Sequence, residues 1–453
     1  MVRLVGADHR RFVMPRVLLA EALAGAMIAG PLEPEAIVDR CSVVLGRRWK
    51  WLSFLAARFA DRFEDGPVPR LRDAGAFILE DRAFRRAFRR YAGDLGIQAW
   101  IHDPPRMMPV PAAQQWGVPP IETVAQLADW LCLGGAELLW LADLKNLSRG
   151  TPGPLRHYHY RPLMKRSGAI RLIEIPKLRL KEAQWRILTE ILDRIPPHPA
   201  SHGFVRGRSI KTFVTPHVGQ RVVLRMDLRD FFPSFIGARI QTFFRTVGYP
   251  ETVADLLGGI CTNTVPPDAW GISIVGYDLR TARDLYARPH LPQGAPTSPS
   301  LANACSYRLD CRLKGLADAA GAAYTRYADD LAFSGGEDFE RRVERFSTHV
   351  AAILADEGFA VQHRKTRIMR QGVRQHLAGL VTNKKANVAR TDYDRLKAIL
   401  TNCVRRGPVG ENREGHPNFR AHLEGRVSFV EMVNPEKGSR LRSIFERIRW
   451  EVA

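Results

Sequence analysis

Two adjacent aspartates, Asp329 and Asp330, stand in Tyr324-Thr-Arg-Tyr-Ala-Asp-Asp-Leu-Ala-Phe-Ser334, flanked on both sides by apolar and aromatic residues. The pattern predicts strand, tight turn, strand, with the carboxylates at the tip. Like charges side by side repel, and partial burial raises their pKa values. A divalent cation removes the conflict, and oxygen ligands point to Mg²⁺, with Mn²⁺ as a substitute. A second candidate ligand is Asp227, in Val222-Val-Leu-Arg-Met-Asp-Leu-Arg-Asp-Phe-Phe-Pro233. An apolar run that ends in an aspartate and then meets two phenylalanines predicts a buried strand delivering Asp227 to a sheet edge. The plainer alternative is that Asp227 caps the segment after it. Three carboxylates from two strands suit a pair of metal ions roughly 3.5–4 Å apart. One ion would activate an attacking hydroxyl and the other would steady the leaving pyrophosphate.

Other residues could serve the same chemistry. Leu291-Pro-Gln-Gly-Ala-Pro-Thr-Ser-Pro299 precedes a helix expected from Ser300 through Leu313. Gly294 lets backbone approach a nucleotide closely, and Gln293 is placed to contact a base pair. Lys165-Arg-Ser-Gly-Ala-Ile-Arg171 reads as a hairpin with a cation on each arm, so Lys165 and Arg171 are candidates to grip a triphosphate. The alternative is an exposed basic hairpin. Lys365 follows another short strand and is a candidate proton donor to pyrophosphate; a plain surface lysine is the competing reading.

The elements that must position these groups belong to a 453-residue chain with 45% apolar residues, long enough for two or three domains. A formal charge of +21 suggests a polyanionic partner, nucleic acid first. The six scattered cysteines contain no Cys-x-x-Cys pair, which argues against zinc and fits a reduced, cytoplasmic protein. The apolar stretch from Phe12 to Ala29 is broken by Pro15, Arg16 and Glu21 and reads as a soluble helix, so no membrane partner is expected.

Residues 1–103 are expected to form a helical extension, with Leu52, Leu55, Phe59 and Phe63 at helical spacing. Arg82 to Arg90 would ring Phe84 and Phe88 with arginines, either as an RNA-facing helix or as a solvated face over two core phenylalanines. Residues 104–120 are proline-rich and read as a linker. The motifs occupy 121–385, and a basic helical region covers 386–453.

Together these segments resemble the reverse transcriptases, and among them the bacterial retron-type enzymes. The resemblance spans roughly residues 155–385 in motif order. Tyr327-Ala-Asp-Asp330 is similar to the family's catalytic box, Asp227 to its other metal ligand, and Leu291–Pro299 to its Gln-Gly motif. His202-Gly-Phe-Val-Arg-Gly-Arg-Ser209 resembles the loop ahead of the first catalytic strand, which makes Arg206 and Arg208 candidates for nucleic-acid contact. Gly379-Leu-Val-Thr-Asn383 resembles the primer grip, through Gly379 and Leu380. The family's sugar-discriminating position falls on Phe232, whose ring would reject a ribose 2′ hydroxyl; a core phenylalanine is the alternative. Two elements differ. Where retron enzymes commonly carry Asn-Ala-x-x-His, this chain has Phe213-Val-Thr-Pro-His217, and only His217, a candidate RNA contact, remains. Where they commonly carry Val-Thr-Gly, it has Leu377-Ala-Gly379.

The resemblance implies an α+β right hand. Fingers and a mixed or antiparallel palm sheet would be followed by a helical thumb whose Arg405, Arg406, Arg420, Arg426, Arg440 and Arg442 track phosphates. It implies dNTPs as substrates, a structured RNA as template and primer, and an RNA–DNA hybrid as product, recognised by its A-form shape. It further implies RNA-linked, branched DNA, a role in antiphage defence and an effector protein as partner. Untemplated or protein-primed DNA synthesis is one alternative. An RNA-binding scaffold restraining an effector is another.

Overall fold

The computed structural model describes residues 14–63, 66, 68–101, 106–151, 153–164, 170–270 and 279–450. The chain divides into two units. The first holds the residues up to Leu155 together with Gly237–Thr262, and the second holds Arg156–Ile236 and Asn263 onward.

The first unit is helical. Helices Arg16–Ile28, Pro34–Leu45, Lys50–Phe63, Leu71–Glu80 and Arg82–Tyr91 share one core built on Leu19, Leu23, Met27, Leu55, Phe59 and Phe84. The arginine-rich helix is capped by Asp81, whose carboxylate accepts from the Ala83 and Phe84 amides. Phe84 is buried and Phe88 packs against the same core, so the two phenylalanines form the helix's core-facing stripe. Among the described residues, no single helix is long and apolar enough to cross a membrane.

The expected boundaries at 103, 104 and 120 do not coincide with the division of the structure. Residues 121–155 join the first unit, as do helices Gly237–Val247 and Glu251–Cys261. The cause is close backbone approach. A side chain on Gly259 would collide with the Ala142 carbonyl, so only glycine lets those helices touch. The proline-rich stretch is not a free linker either. The Met108 amide donates to the Gly248 carbonyl at 2.8 Å and the Val110 amide to Thr246 at 3.3 Å.

The second unit contains the sheets. Strands β1 (Tyr158–Met164) and β2 (Ile170–Pro176) form an antiparallel hairpin. The central sheet has β3 (Val222–Arg229), β4 (Ala323–Tyr327), β5 (Asp330–Gly335), β6 (Ala360–Val361) and β7 (Arg367–Arg370). β4 pairs with β5, β5 with β3, and β3 on its other edge with both β6 and β7, all antiparallel. One sheet face carries Leu224, Leu331 and Phe333, fully buried, with Phe333 against Phe346 of helix Glu337–Asp356. β8 (His376–Leu377), β9 (Leu380–Val381) and β10 (Asn387–Val388) make a small second sheet. Helices Arg390–Arg406, Phe419–Val433 and Pro435–Phe445 follow and share a core with it through Leu380, Leu396, Leu423 and Leu441. This is the α+β palm-and-thumb arrangement expected. The helix anticipated over 300–313 is two helices, Ser298–Cys305 and Tyr307–Ala319.

Candidate active site

The register of the central sheet brings the carboxylates together. Tyr327 pairs with Asp330 across β4 and β5, which leaves Ala328-Asp329 as a two-residue turn. Asp330 also pairs with Asp227 across β5 and β3, and directly opposed residues share a face. The Leu228 amide donates to the Asp329 carbonyl at 2.9 Å, tying the turn to the neighbouring strand. Sequence-distant Asp227 therefore meets the Asp-Asp turn, as expected.

The electrostatics are uneven. Lys365 Nζ donates to both Asp227 oxygens at 2.9 and 2.8 Å. Arg225, two residues before Asp227 and on the same face, donates to Asp330 Oδ1 at 2.9 and 2.6 Å. Among the described residues, the Asp329 carboxylate accepts only from its own backbone N–H. Burial, then the Asp227 and Asp330 charges, push its pKa above the usual carboxylate range. Burial also raises Asp227, against the Lys365 charge. Among the described residues, no group of three His, Cys, Asp or Glu side chains is gathered closely enough to hold a metal ion. The donor set nonetheless fits a hard divalent cation: three carboxylates at one sheet edge, one of them in no ion pair among the described residues.

Three non-glycine residues with positive φ surround this point: Phe204 (60°), Asp230 (47°) and Ala328 (55°). Such conformations cost on the order of 1–3 kcal/mol each and persist where neighbours enforce them. The neighbour of Ala328 is Gly203. A Cβ on Gly203 would lie 2.6 Å from the Ala328 nitrogen, so the loop Ser201–Ser209 presses its backbone against the turn. Phe232 follows β3 in a short 3₁₀ turn, half-buried, with its ring 6.0 Å from exposed Phe204. It is not packed away like Phe231, which is buried against Phe235 and Phe359.

The Gln-Gly loop docks on β2. The Glu174 amide donates to the Gln293 carbonyl at 2.9 Å. Gly294 has φ 136°, and a Cβ there would lie 2.6 Å from the Glu174 carbonyl. Beneath it, fully buried Glu174 accepts from Asn263 at 2.7 Å and pairs with His290 at 3.1 Å. Arg171 lies exposed on β2, opposite Leu163. Lys165 lies outside the described residues.

The primer-grip segment is a two-residue hairpin. Leu377 pairs with Leu380, and Ala378 (φ 46°) and Gly379 (φ 84°) form the turn, the signature of a type I′ connection. The Leu380 side chain is fully buried in the thumb core and cannot touch a primer; only its backbone is available.

Two further expectations need correction. His217 does not face nucleic acid. It is fully buried, with Nδ1 2.7 Å from Ser334 Oγ and Nε2 2.7 Å from Thr325 Oγ1. Thr325 Oγ1 donates its single proton to the Phe213 carbonyl, so it must accept from Nε2–H. Nδ1 then accepts from Ser334. The histidine thus clamps β4 to β5 behind the catalytic turn, and burial lowers its pKa to about 3. Arg208 donates Nη1 to the carbonyls of His198, Pro199 and Ser201, which holds the loop's own backbone. Arg206 is exposed. In the thumb, Arg420 is exposed and Arg426 half-buried, while Arg440 and Arg442 are bound by Glu436 and Glu431.

Arg326, which the motif reading passed over, is the largest fully buried side chain among the described residues. It grips Asp310 through Nε at 2.7 Å and Nη2 at 2.6 Å, and it reaches Asn303 Oδ1 and the Ala328 carbonyl. Arg225 was missed likewise. The signal for both was present: a charge inside an otherwise apolar strand requires a partner.

Residues 163–387 match the family described as reverse transcriptase (RNA-dependent DNA polymerase). The chain is 43% identical over 293 residues to the retron Mx65 reverse transcriptase of Myxococcus xanthus, covering 63% of this chain and 64% of that protein. It is 37% identical over 333 residues to the retron Mx162 reverse transcriptase of the same organism, covering 71% and 66%. It therefore spans just under two thirds of the length of these two relatives. To the retron Ec86 reverse transcriptase of Escherichia coli it is 30% identical over 280 residues, covering 62% of this chain and 77% of that protein. The motif order, the paired carboxylates and these identities agree: the chain belongs to the bacterial retron-type reverse transcriptases.

Proposed function

We propose that this protein synthesises DNA on a structured RNA template, using dNTPs. The observation that carries the reading is the register placing Asp227 opposite Asp330, with Asp329 in the two-residue turn between. Asp227, Asp329 and Asp330 would hold Mg²⁺, which supplies charge neutralisation and hydroxyl activation when bound. The primer's 3′ oxygen attacks the α-phosphorus of a dNTP. A new P–O bond forms, the bond to pyrophosphate breaks, and the hydroxyl proton is lost. Phe232, half-buried in the turn after β3, would be the ring that rejects a ribose 2′ hydroxyl. Gly294 and Gln293 present backbone at the fingers hairpin, and exposed Arg171 offers a fork to the triphosphate. Lys365 neutralises Asp227, and in the reacting complex its ammonium is placed to donate a proton to pyrophosphate. The Ala378-Gly379 turn would hold the primer strand, and the product would be an RNA–DNA hybrid.

By its relation to the retron enzymes, we infer that the first nucleotide is added to an internal 2′ hydroxyl of the RNA, with 3′ attack thereafter, so the DNA remains joined to the RNA as a branch. We also infer that the protein acts in the cytoplasm in antiphage defence, beside an effector protein. The six cysteines are free thiols, in keeping with a reducing compartment. The experiment is incorporation of labelled dNTP on RNA template with Asp329→Ala and Asp330→Ala. Incorporation should fall to background while RNA binding persists, and full activity in either variant rejects the reading. Nucleic acid copurified from cells carrying the native flanking DNA should contain a discrete DNA band that shortens with RNase.

A further inference from the structure

A carboxylate inside an otherwise apolar strand must find donors, and Glu174 of β2 finds them on the Gln-Gly loop. The side chain is fully buried. Its Oε1 accepts from His290 Nε2 at 3.1 Å and from the Gln293 amide at 3.3 Å, and its Oε2 accepts from Asn263 Nδ2 at 2.7 Å. The Glu174 amide donates in turn to the Gln293 carbonyl at 2.9 Å. Both backbone polar groups of Gln293 are therefore held by one residue, and Gly294 closes against that residue's carbonyl. The loop is anchored again three residues earlier, where His290 and Asn263 exchange backbone hydrogen bonds at 3.0 Å in each direction.

His290 fixes the charge of this cluster. Its Nδ1 lies 2.7 Å from the Arg288 carbonyl, which can only accept, so Nδ1 carries a proton. Its Nε2 faces a carboxylate oxygen, so a proton lies there too. Imidazole is a stronger base than carboxylate, and both protons belong to His290. Burial presses the His290 pKa down, but the Glu174 charge and hydrogen bond, with the Arg288 carbonyl, carry it above its ordinary value. The other faces are neutral. Tyr286 packs edge-on at 4.9 Å, and Tyr160, kept protonated by burial, accepts from Asn263 at 3.1 Å. The charges beyond Tyr160, Arg156 and Asp268, pair with each other at 2.9 Å. Stability alone does not call for a buried ion pair, since apolar residues of similar volume often serve as well. What the pair supplies is a fixed place for Gln293 and Gly294. We propose that Glu174 and His290 are positioning residues for the incoming nucleotide: as a buried carboxylate–imidazolium pair they hold the Gln293-Gly294 backbone and so set the affinity for dNTP. This rests on the dNTP-directed reading above and names the residues that hold its loop.

The test is steady-state incorporation of dTTP by the full chain on poly(rA) primed with oligo(dT), with KM and kcat read separately and urea midpoints measured alongside. His290→Gln strands the Glu174 charge and should raise KM for dTTP about tenfold, while kcat at saturation stays within about threefold of wild type. Adding Glu174→Gln removes the stranded charge, so the double variant should recover most of that loss. A pair that served stability alone would lower the urea midpoint and leave KM in place. That result overturns the proposal, as does a double variant with KM no better than His290→Gln. A second reading needs no change at His290. Its deprotonation strands the same charge, so the pair is intact below the folded pKa and lost as pH rises through it. Wild-type KM should therefore climb between about pH 7 and pH 9, and Glu174→Gln should flatten the climb. Parallel profiles in these two proteins overturn the proposal, also where His290→Gln does not fold. Extension by wild type with KM unchanged in every variant removes the role of the pair alone. No extension by wild type removes the polymerase reading instead. Equilibrium dialysis of radiolabelled dTTP then decides for the pair if His290→Gln binds more weakly and against it if binding is equal.

Discussion

The hairpin of β4 and β5 carries two ionic clusters, one at its tip and one just behind it. Behind the tip, Asp310 receives the Arg326 fork and the Tyr324 hydroxyl at 2.8 Å. Asn303, which accepts from Arg326, also binds Ser201 and the Gly203 carbonyl. Arg326 and Asp310 are fully buried and mutually satisfied. At the tip, Arg225 pairs with Asp330 and Lys365 with Asp227, and Asp329 forms an ion pair with neither. The same kinds of side chain, a few residues apart, are built to opposite ends. A satisfied buried cluster locates a backbone. An unsatisfied, half-exposed one keeps free energy in reserve for a ligand. Arg326 joins them, because it also donates to the Ala328 carbonyl of the turn.

The sharpest contrast is between activity and stability at the tip. Asp329→Asn should bring nucleotide incorporation to background. It removes one of three repelling charges and breaks no ion pair, so the urea midpoint should hold steady or rise. A fall of more than about 1 kcal/mol would mean that Asp329 is a structural group like Asp310.

Behind the tip the pattern reverses. Arg326→Met leaves the Asp310 charge buried and unpaired, and breaking one side of such a pair costs about 3–5 kcal/mol. Equilibrium denaturation should show that loss. A value under about 1 kcal/mol would place Arg326 with the exposed pairs and undo the comparison.

A smaller effect concerns His217, which spans β4 and β5 on the other face of the hairpin. Its folded pKa lies near 3, below the ordinary histidine value of about 6.5. The fold therefore keeps it neutral. Its contribution is fully present above the unfolded value and is lost as pH falls from about 6.5 toward 3. Between pH 7 and pH 5 this group alone should remove about 2 kcal/mol. His202, lowered to about 4 by burial, adds to the same trend, while His290, raised by Glu174 against the effect of burial, opposes it. The comparison is thus of slopes. Stability should depend less steeply on pH in His217→Gln than in wild type, and equal slopes would show that the clamp does not hold in solution.

These contrasts mark what was legible in the sequence. Tyr327-Ala-Asp-Asp330 and Asp227 were readable because strand periodicity and acidic placement are local signals. The docking of Gly294 was readable only as a turn; its reason, the Glu174 carbonyl, lies on a strand more than a hundred residues away. Arg326 was readable as a buried charge that needs a partner, but not which one, because Asp310, on a helix, looks like any surface acid until the helix is placed. His217 looked like a remnant of an RNA-recognition element, and only burial between two hydroxyls shows otherwise. The division of the chain was hidden for a similar reason. Helices Gly237–Val247 and Glu251–Cys261 interrupt the motif series, yet they belong to the first unit, through contacts of Gly259 with Ala142 and of Gly248 with Pro109 that no periodicity announces.

The smallest predicted effect decides whether the bent turn is a cost or a device. Ala328 has φ 55°, and a left-handed alanine costs about 1–2 kcal/mol. Glycine would relieve that strain. It would also bring back about 0.5–1 kcal/mol of backbone entropy and lose about 0.8 kcal/mol for the buried methyl. These terms nearly cancel, so Ala328→Gly should leave stability within about 1 kcal/mol of wild type. Incorporation should nevertheless fall, because the methyl and the restricted φ help fix where Asp329 stands against Gly203 and Leu228. If the variant gains stability and keeps its rate, the strain at the turn is incidental. In that case the satisfied cluster behind it, centred on Arg326, positions the carboxylates alone.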